Sequence, residues 1–387
     1  MKILMCHNYY QQAGGEDQVF ADEAWLLREN GHDVVQYTRH NDDVDNLSQW
    51  QKFRKTMWNH DTVVDIERLI REHQPQIMHC TNTFPLISPS AYHTAQEHGV
   101  KVVQSIHNYR LMCPAATLLR DGKVCEDCIG RVIAWPGIVH KCYREDRKAT
   151  AVLALYQTYH RWRKTWHRDV DRIIALTDFS REKLVAGGLP GNKMSVKRNF
   201  VHPDPGLGEG QGDYVLSAGR LSPEKGIDTL IQAWRRQSDL PTLKIIGSGP
   251  LEEQVRQAAD ELPHVEYLGR KPLDEVYNLL GQARCLIVPS VWYEVCPKTI
   301  LESFAKGTPV IASRLGGMAE LIDDERTGLL FEPGDPASLA AAVTKLVADP
   351  GRQEIYRSAA RAEFETHYTA PMNYQQLIEI YRLALGA

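Results

Sequence analysis

No uninterrupted apolar run in this 387-residue chain approaches the roughly 20 residues that a membrane-crossing helix needs. The opening MKILMCHNYY lacks the long apolar core and small-residue cleavage site of a secretory leader and reads instead as a first strand. A cytoplasmic location is therefore expected, and the eight cysteines should stay reduced there unless they hold a metal or do chemistry. Positive charge is not in excess: 45 Lys and Arg face 49 Asp and Glu, a net −4, which argues against a general nucleic-acid binder. No complete GxGxxG stands after a strand. GSGPLE at 247–252 puts Glu252 where the third glycine belongs, which argues against a nicotinamide enzyme. Internal repeats and low-complexity tracts are absent as well.

What is present is the texture of a soluble α/β protein, 43% hydrophobic and 24% charged, long enough for two or three domains. Short β-rich runs alternate with helical patterns. Strands are expected at Lys2–Cys6, Val34–Tyr37, Ile77–Cys80, Val100–Ser105 and Arg172–Leu176, with a helix running from Gly14-Gly15 to Asn30. At His202 the texture changes to HPDPGLGEGQGD, a linker composition over 202–213. The alternation then restarts with strands at Tyr214–Ala218, Thr242–Ile246, Val265–Leu268, Cys285–Val288, Val310–Ala312 and Gly328–Phe331. The expected architecture is a Rossmann-like domain over 1–201, a second over 214–368, a cleft between them, and a C-terminal helix over 369–387 packing back on the first. In such parallel sheets ligands lie off the carboxyl ends of the strands.

Several loops leave those ends with chemistry in them. PSVWYEVCPKTILE carries Glu294 before a helix and Glu302 within its early turns, with Pro297 suited to the first helical position. Two carboxylates at one spacing are a weak motif alone. SAGRLSPEKG places Arg220 and Lys225 before a helix, a receptor for a diphosphate or an ordinary basic loop. The turn around Gly249 lets a ligand approach the backbone, and Gly14-Gly15-Glu16 follows the first strand where N–H groups can face an anion or a sugar. His107 ends a strand at its carboxyl edge.

Together these pieces resemble the retaining glycosyltransferases of family four. The resemblance rests on Gly14-Gly15, SIHN at 105–108, GRLSPEKG at 219–226, GSGP at 247–250, EVCPKTILE, GTPVIASRLGG and TGLLFEPGD. It implies a GT-B fold of two facing Rossmann-like domains and transfer of a sugar from a UDP- or GDP-linked donor to a hydroxyl, with a lipid-linked glycan of a surface polysaccharide as acceptor. By the same resemblance Arg220 and Lys225 hold the diphosphate, and Glu302 binds the ribose. Glu294 binds the donor sugar with help from N–H groups near Cys296. His107 contacts that sugar near the reacting centre, and Gly15 admits phosphates or acceptor. Substitution occurs on one face, with no divalent metal, because the two cations and helix dipoles take its place. Val295 departs from the family, standing where many members carry glycine or proline, and bears on donor choice. The competing readings are a nucleotide-sugar epimerase on the same fold and a non-catalytic sugar-nucleotide-binding module.

Two further features stand apart. Cys113, Cys125, Cys128 and Cys142 lie in one insertion of about 108–145, a set that fits a structural tetrahedral zinc or is simply four thiols. Tyr156 to Arg168, YQTYHRWRKTWHR, reads as a basic aromatic face for an anionic membrane or as a solvated helix with its aromatics on the core.

Overall fold

The computed structural model describes residues 1–12 and 14–386. The chain divides into two compact units. One holds Met1–Leu118, Cys125–Arg198 and the C-terminal residues from Asn373 on; the other holds Leu119–Val124 and Asn199–Met372.

The first unit is built on β1 (Lys2–Tyr9), β2 (Asp33–His40), β3 (Ile77–Cys80) and β4 (Lys101–Ile106). A small antiparallel hairpin, β5 (Leu119–Arg120) and β6 (Lys123–Val124), follows in the chain, and β7 (Arg172–Ala175) and β8 (Met194–Val196) complete the first sheet. That sheet has the order β2-β1-β3-β4-β7-β8 and is parallel throughout. Its central strands are buried along almost their whole length, as in parallel sheets covered on both faces. β1 runs three residues beyond the expected Cys6. His7 and Asn8 are fully buried: His7 Nε2 lies 2.7 Å from Asp17 Oδ1, Asn8 Nδ2 donates to Asn41 Oδ1 at 2.8 Å, and Asn82 Nδ2 donates to the Asn8 carbonyl at 2.8 Å. A polar residue continues a buried strand when its hydrogen bonds are met.

Beneath this sheet lies a charged core. Lys197 Nζ is 2.7 Å from Glu23 Oε1 and 3.1 Å from Asn373 Oδ1, with both charged side chains about 1% exposed. His79 Nδ1 is 2.8 Å from the Tyr381 hydroxyl and its Nε2 is 2.8 Å from Ser105 Oγ. Asn373 and Tyr381 belong to the terminal helix Ala370–Leu385, so these bonds fasten that helix to the first sheet.

The second unit carries β9 (Tyr214–Ala218), β10 (Thr242–Ile246), β11 (Val265–Gly269), β12 (Leu286–Val288), β13 (Val310–Ser313) and β14 (Gly328–Phe331), in the order β11-β10-β9-β12-β13-β14. Every pair is parallel. The order reverses between β9 and β12, the switch point where doubly wound sheets open a crevice at their carboxyl edge. The helix Ile227–Arg236 buries Ile227, Leu230, Ile231, Ala233 and Trp234. The spacing is that of one helical stripe, and the fully buried Trp234 still donates its indole N–H to the Pro241 carbonyl at 2.9 Å.

Candidate functional site

The site builds up from the switch point of the second sheet. The loop after β9 carries Arg220 and Lys225; the loop after β12 carries Glu294. Four backbone hydrogen bonds tie neighbouring loops together. Leu221 N–H donates to the Ser248 carbonyl, Leu251 N–H to the Leu221 carbonyl, and Val291 N–H to the Glu224 carbonyl, each at 3.0 Å, and Gly317 N–H donates to the Glu294 carbonyl at 2.9 Å. The loops after β9, β10, β12 and β13 therefore form one rigid edge.

Close approach explains two glycines. Gly226 has φ +70, and a Cβ there would lie 1.9 Å from the Pro289 carbonyl oxygen. Gly249 has φ +158, and its Cβ would lie 2.4 Å from the Leu221 carbonyl oxygen. Gly249 is thus required by loop packing inside the protein. Gly14 and Gly15 differ: a Cβ on either would meet nothing within 4 Å, so no described protein atom accounts for them.

At this edge Lys225 Nζ lies 2.6 Å from Glu294 Oε1 and 5.4 Å from the centre of the Trp292 ring. Ser290 Oγ donates to the same oxygen at 2.7 Å. Glu294 is only 5% exposed, while Lys225 stays partly exposed. An ammonium has three protons; one faces Glu294, and others remain for an anion. Arg220 is exposed, and among the described residues its guanidinium makes no hydrogen bond or ion pair. Glu302, 7% exposed, sits in the helix Lys298–Ala305. Pro297 is the cap preceding that helix rather than its first residue, with extended backbone at ψ 115. Cys296 is buried, and its carbonyl accepts from Asn199 Nδ2 at 3.3 Å. Ser290 and Trp292 are the residues sequence reading passed over. The signal was their place between β12 and Glu294, but only the folded loop shows them gripping Glu294 and Lys225.

In the first unit Gly15 is the first residue of the helix Gly15–Glu29, and Gly14 is its cap. Asp17 turns back to accept the Gly14 N–H at 2.9 Å, while its other oxygen is 2.7 Å from His7 Nε2. Glu16 accepts from the Tyr10 hydroxyl at 2.8 Å, and burial pushes its carboxyl up to about 7. His107 follows β4 directly. Burial, with Lys197 and two further histidines nearby, pushes its ring down to about 3, so it is neutral at pH 7. Its Nε2 is buried and has no hydrogen-bond partner among the described residues. A buried orphan of this kind calls for a reason.

The cysteine insertion folds around Gly137. Cys128 Sγ lies 3.6 Å and the Pro114 side chain 3.1 Å from where a Gly137 Cβ would stand, and the Cys142 N–H donates to the Gly137 carbonyl at 3.0 Å. Cys125 N–H donates to Leu118 at 2.8 Å. Among the described residues there is no disulfide, and no three His, Cys, Asp or Glu side chains are gathered so as to hold a metal ion. The expected zinc set of Cys113, Cys125, Cys128 and Cys142 thus shares a neighbourhood without forming a ligand cage.

Tyr156 to Arg168 is not one continuous face. The helix Arg147–Trp162 ends, Lys164 adopts a left-handed conformation at φ 56, and the short helix Thr165–Arg168 follows. Tyr156, His160 and Trp166 are buried, with Trp166 Nε1 donating to Gln104 Oε1 at 2.9 Å. No described helix is long and apolar enough to cross a membrane.

Comparison with known proteins bears on the family and the fold. The family model described as Glycosyltransferase Family 4 matches residues 13–205, and the one described as Glycosyl transferases group 1 matches residues 204–363. The amylovoran biosynthesis glycosyltransferase AmsK of Erwinia amylovora is 31% identical over 224 residues, covering 54% of this chain and 55% of that protein. The chain spans about half the length of the curated relatives it matches. HepE of Anabaena, solved in complex with UDP, superposes with a TM-score of 0.69 at 17% identity over 98% of this chain and 99% of that one. Sucrose-phosphate synthase from Thermosynechococcus elongatus gives 0.74 at 16% identity over the full length of both. These likenesses identify the fold as GT-B. With two parallel Rossmann-like sheets and the two family models matching end to end from residue 13 to residue 363, the chain belongs to glycosyltransferase family 4.

Proposed function

We propose that this chain transfers a sugar, with retention, from a nucleotide-diphosphate sugar to a hydroxyl acceptor. The observation that carries the reading is the Lys225–Glu294 pair fixed at the switch point of the second sheet beside an uncommitted Arg220. Lys225 and Arg220 take the diphosphate and stabilise the charge that grows on it as the glycosidic bond breaks. Glu294 accepts from Lys225 and Ser290 through Oε1, which leaves Oε2 for hydroxyls of the donor sugar. Glu302 and the N–H groups near Cys296 hold the ribose and the sugar. Because the two cations already supply fixed positive charge, the reaction needs no divalent metal.

His107, neutral and with a bare ring nitrogen, offers a hydrogen bond to a sugar hydroxyl. The open space over Gly14 and Gly15 admits a ligand to a helix start. The acceptor proton leaves toward the departing phosphate oxygen on the same face of the sugar. HepE was solved with UDP, which supports a uridine donor, and AmsK is named for amylovoran biosynthesis, which supports a role in polysaccharide assembly; a lipid-linked glycan acceptor is the part that the family resemblance alone implies.

The test is a thermal-shift panel of UDP, GDP, ADP and their sugars, followed by transfer assays with the stabilising donor. A ligand present at 100 times its Kd raises stability by about 2.7 kcal/mol. UDP-sugar stabilisation with acceptor-dependent UDP release is expected. Donor turnover without acceptor incorporation would point to an epimerase, and binding without turnover to a binding module; either overturns the proposal.

A further inference from the structure

One surface of the first unit has no part in the chemistry above. Six large apolar side chains stand exposed on it: Val132 at 70%, Ile133 at 50%, Trp135 at 52%, Val139 at 52%, Leu155 at 50% and Trp162 at 78%. They are a single surface, because the insertion lies along the helix Arg147–Trp162. The Val132 carbonyl accepts from Thr158 Oγ1 at 3.1 Å, and Arg161 donates to the Arg131 carbonyl. Beneath the exposed residues, Ala134, Cys128 and Ala154 pack together with Ile138 as a small core. Leu155 and Trp162 are seven residues apart, two turns of one helix, and so share a face. The apolar side chains stand out from a packed base; they are not an unfolded fringe.

The charge around them is mainly positive. Between residues 131 and 168 nine Lys and Arg stand against two acids, Glu145 and Asp146, a net +7. The whole chain is −4, so the remainder carries −11. Arg131 lies over the Trp135 ring at 5.3 Å from its centre, which puts a cation beside an exposed indole. Exposed Trp, Val, Ile and Leu rimmed by cations are the composition of a surface that seats in the headgroup region of an anionic bilayer. An acidic remainder would be repelled by the same bilayer and would orient this face toward it.

We propose that this surface docks the protein on an anionic phospholipid membrane, with Trp135 and Trp162 as the interfacial anchors. It differs from the face that Tyr156 to Arg168 suggested: Tyr156, His160 and Trp166 face inward, and the insertion supplies most of the apolar contact. Two independent signals, apolar and electrostatic, act together here, which reversible anchoring needs.

The experiment is flotation of the full-length protein with phosphatidylcholine vesicles and with vesicles containing phosphatidylglycerol, at low and high salt. Binding to the anionic vesicles, weakened by salt, is expected. Trp135→Ser with Trp162→Ser should lower the bound fraction about tenfold. Arg147→Glu with Lys148→Glu, both at exposed helix positions, should lose at least roughly fivefold per charge. Circular dichroism should match the parent for both variants, because neither pair is buried. Recovery of the full chain in the unbound fraction with anionic vesicles at low salt would overturn the proposal. So would equal binding to neutral vesicles, undiminished binding by both variants, self-association through these tryptophans, or an RNA that competes all binding away.

Discussion

Replacing Lys197 with Met tests the reading of the first unit most directly. Lys197 and Glu23 are both about 1% exposed, and Lys197 Nζ is 2.7 Å from Glu23 Oε1. The other cationic candidates near Glu23 are His79, whose Nδ1 is 3.8 Å from Oε2, and His107. Burial pushes His79 down to about 4 and His107 down to about 3, so both are neutral at pH 7. Burial is also the largest influence on Glu23 and pushes its carboxyl up; Lys197, acting by charge and hydrogen bond, reverses this and leaves it below the ordinary range. Met at position 197 matches the stem and removes the charge. The carboxylate is then buried and unpaired, at a cost of about 3–5 kcal/mol.

The pH dependence has a definite sign. In the parent, Glu23 is depressed in the folded state, so its contribution is present above the carboxyl's unfolded value and is lost as pH falls through the folded one. In Lys197→Met the burial influence is unopposed and the carboxyl rises. Protonation then relieves the variant, and the stability gap is widest at neutral pH and closes on acidification. Adding Glu23→Gln should return much of the loss. The assay is urea unfolding followed by native-state hydrogen exchange in β1 and β8, from about pH 7.5 to about pH 5. A loss under about 1 kcal/mol, a gap that widens as pH falls, or no recovery with Gln at 23 would refute the reasoning.

Other consequences follow at the second sheet. Lys225→Ala and Glu302→Ala should each lower donor turnover by at least about 100-fold with an unchanged circular dichroism spectrum; full activity in either removes that residue from the site. Gly226→Ala places a Cβ 1.9 Å from the Pro289 oxygen at a left-handed φ, so it should cost about 1–3 kcal/mol and loosen Lys225 from Glu294; calorimetry and donor titration measure the two effects. Trp234→Ala empties the core under β9 and should cost about 3–5 kcal/mol in thermal melts, with donor affinity affected only through stability.

The periodicities of the chain determined a good deal. Short β-rich runs marked Ile77–Cys80, Tyr214–Ala218, Thr242–Ile246 and Gly328–Phe331 to the residue. A strand buried on both faces is mostly apolar, so local sequence carries it. β8 escaped because three residues, Met194–Val196, are too short for any period to show. The β5–β6 hairpin escaped although Asp121-Gly122, at φ 52 and φ 72, is the pair that favours such a turn.

Arg220, Lys225, Glu294 and Glu302 were visible as residue types, and the family resemblance set them on one donor. Residue types alone did not pair Lys225 with Glu294, because that contact depends on strand order: β9 and β12 are separated by about 70 residues in the chain yet lie side by side. Only that adjacency gives Lys225 a carboxylate at 2.6 Å. The same limit governs the aromatic basic stretch, where sequence lists Tyr156, Trp162 and Trp166 as equals. Tertiary packing buried the first and third and left Trp162 in solvent, because the helix Arg147–Trp162 has one inward stripe that holds Tyr156 and not Trp162, and the left-handed break at Lys164 turns Trp166 inward on its own short helix.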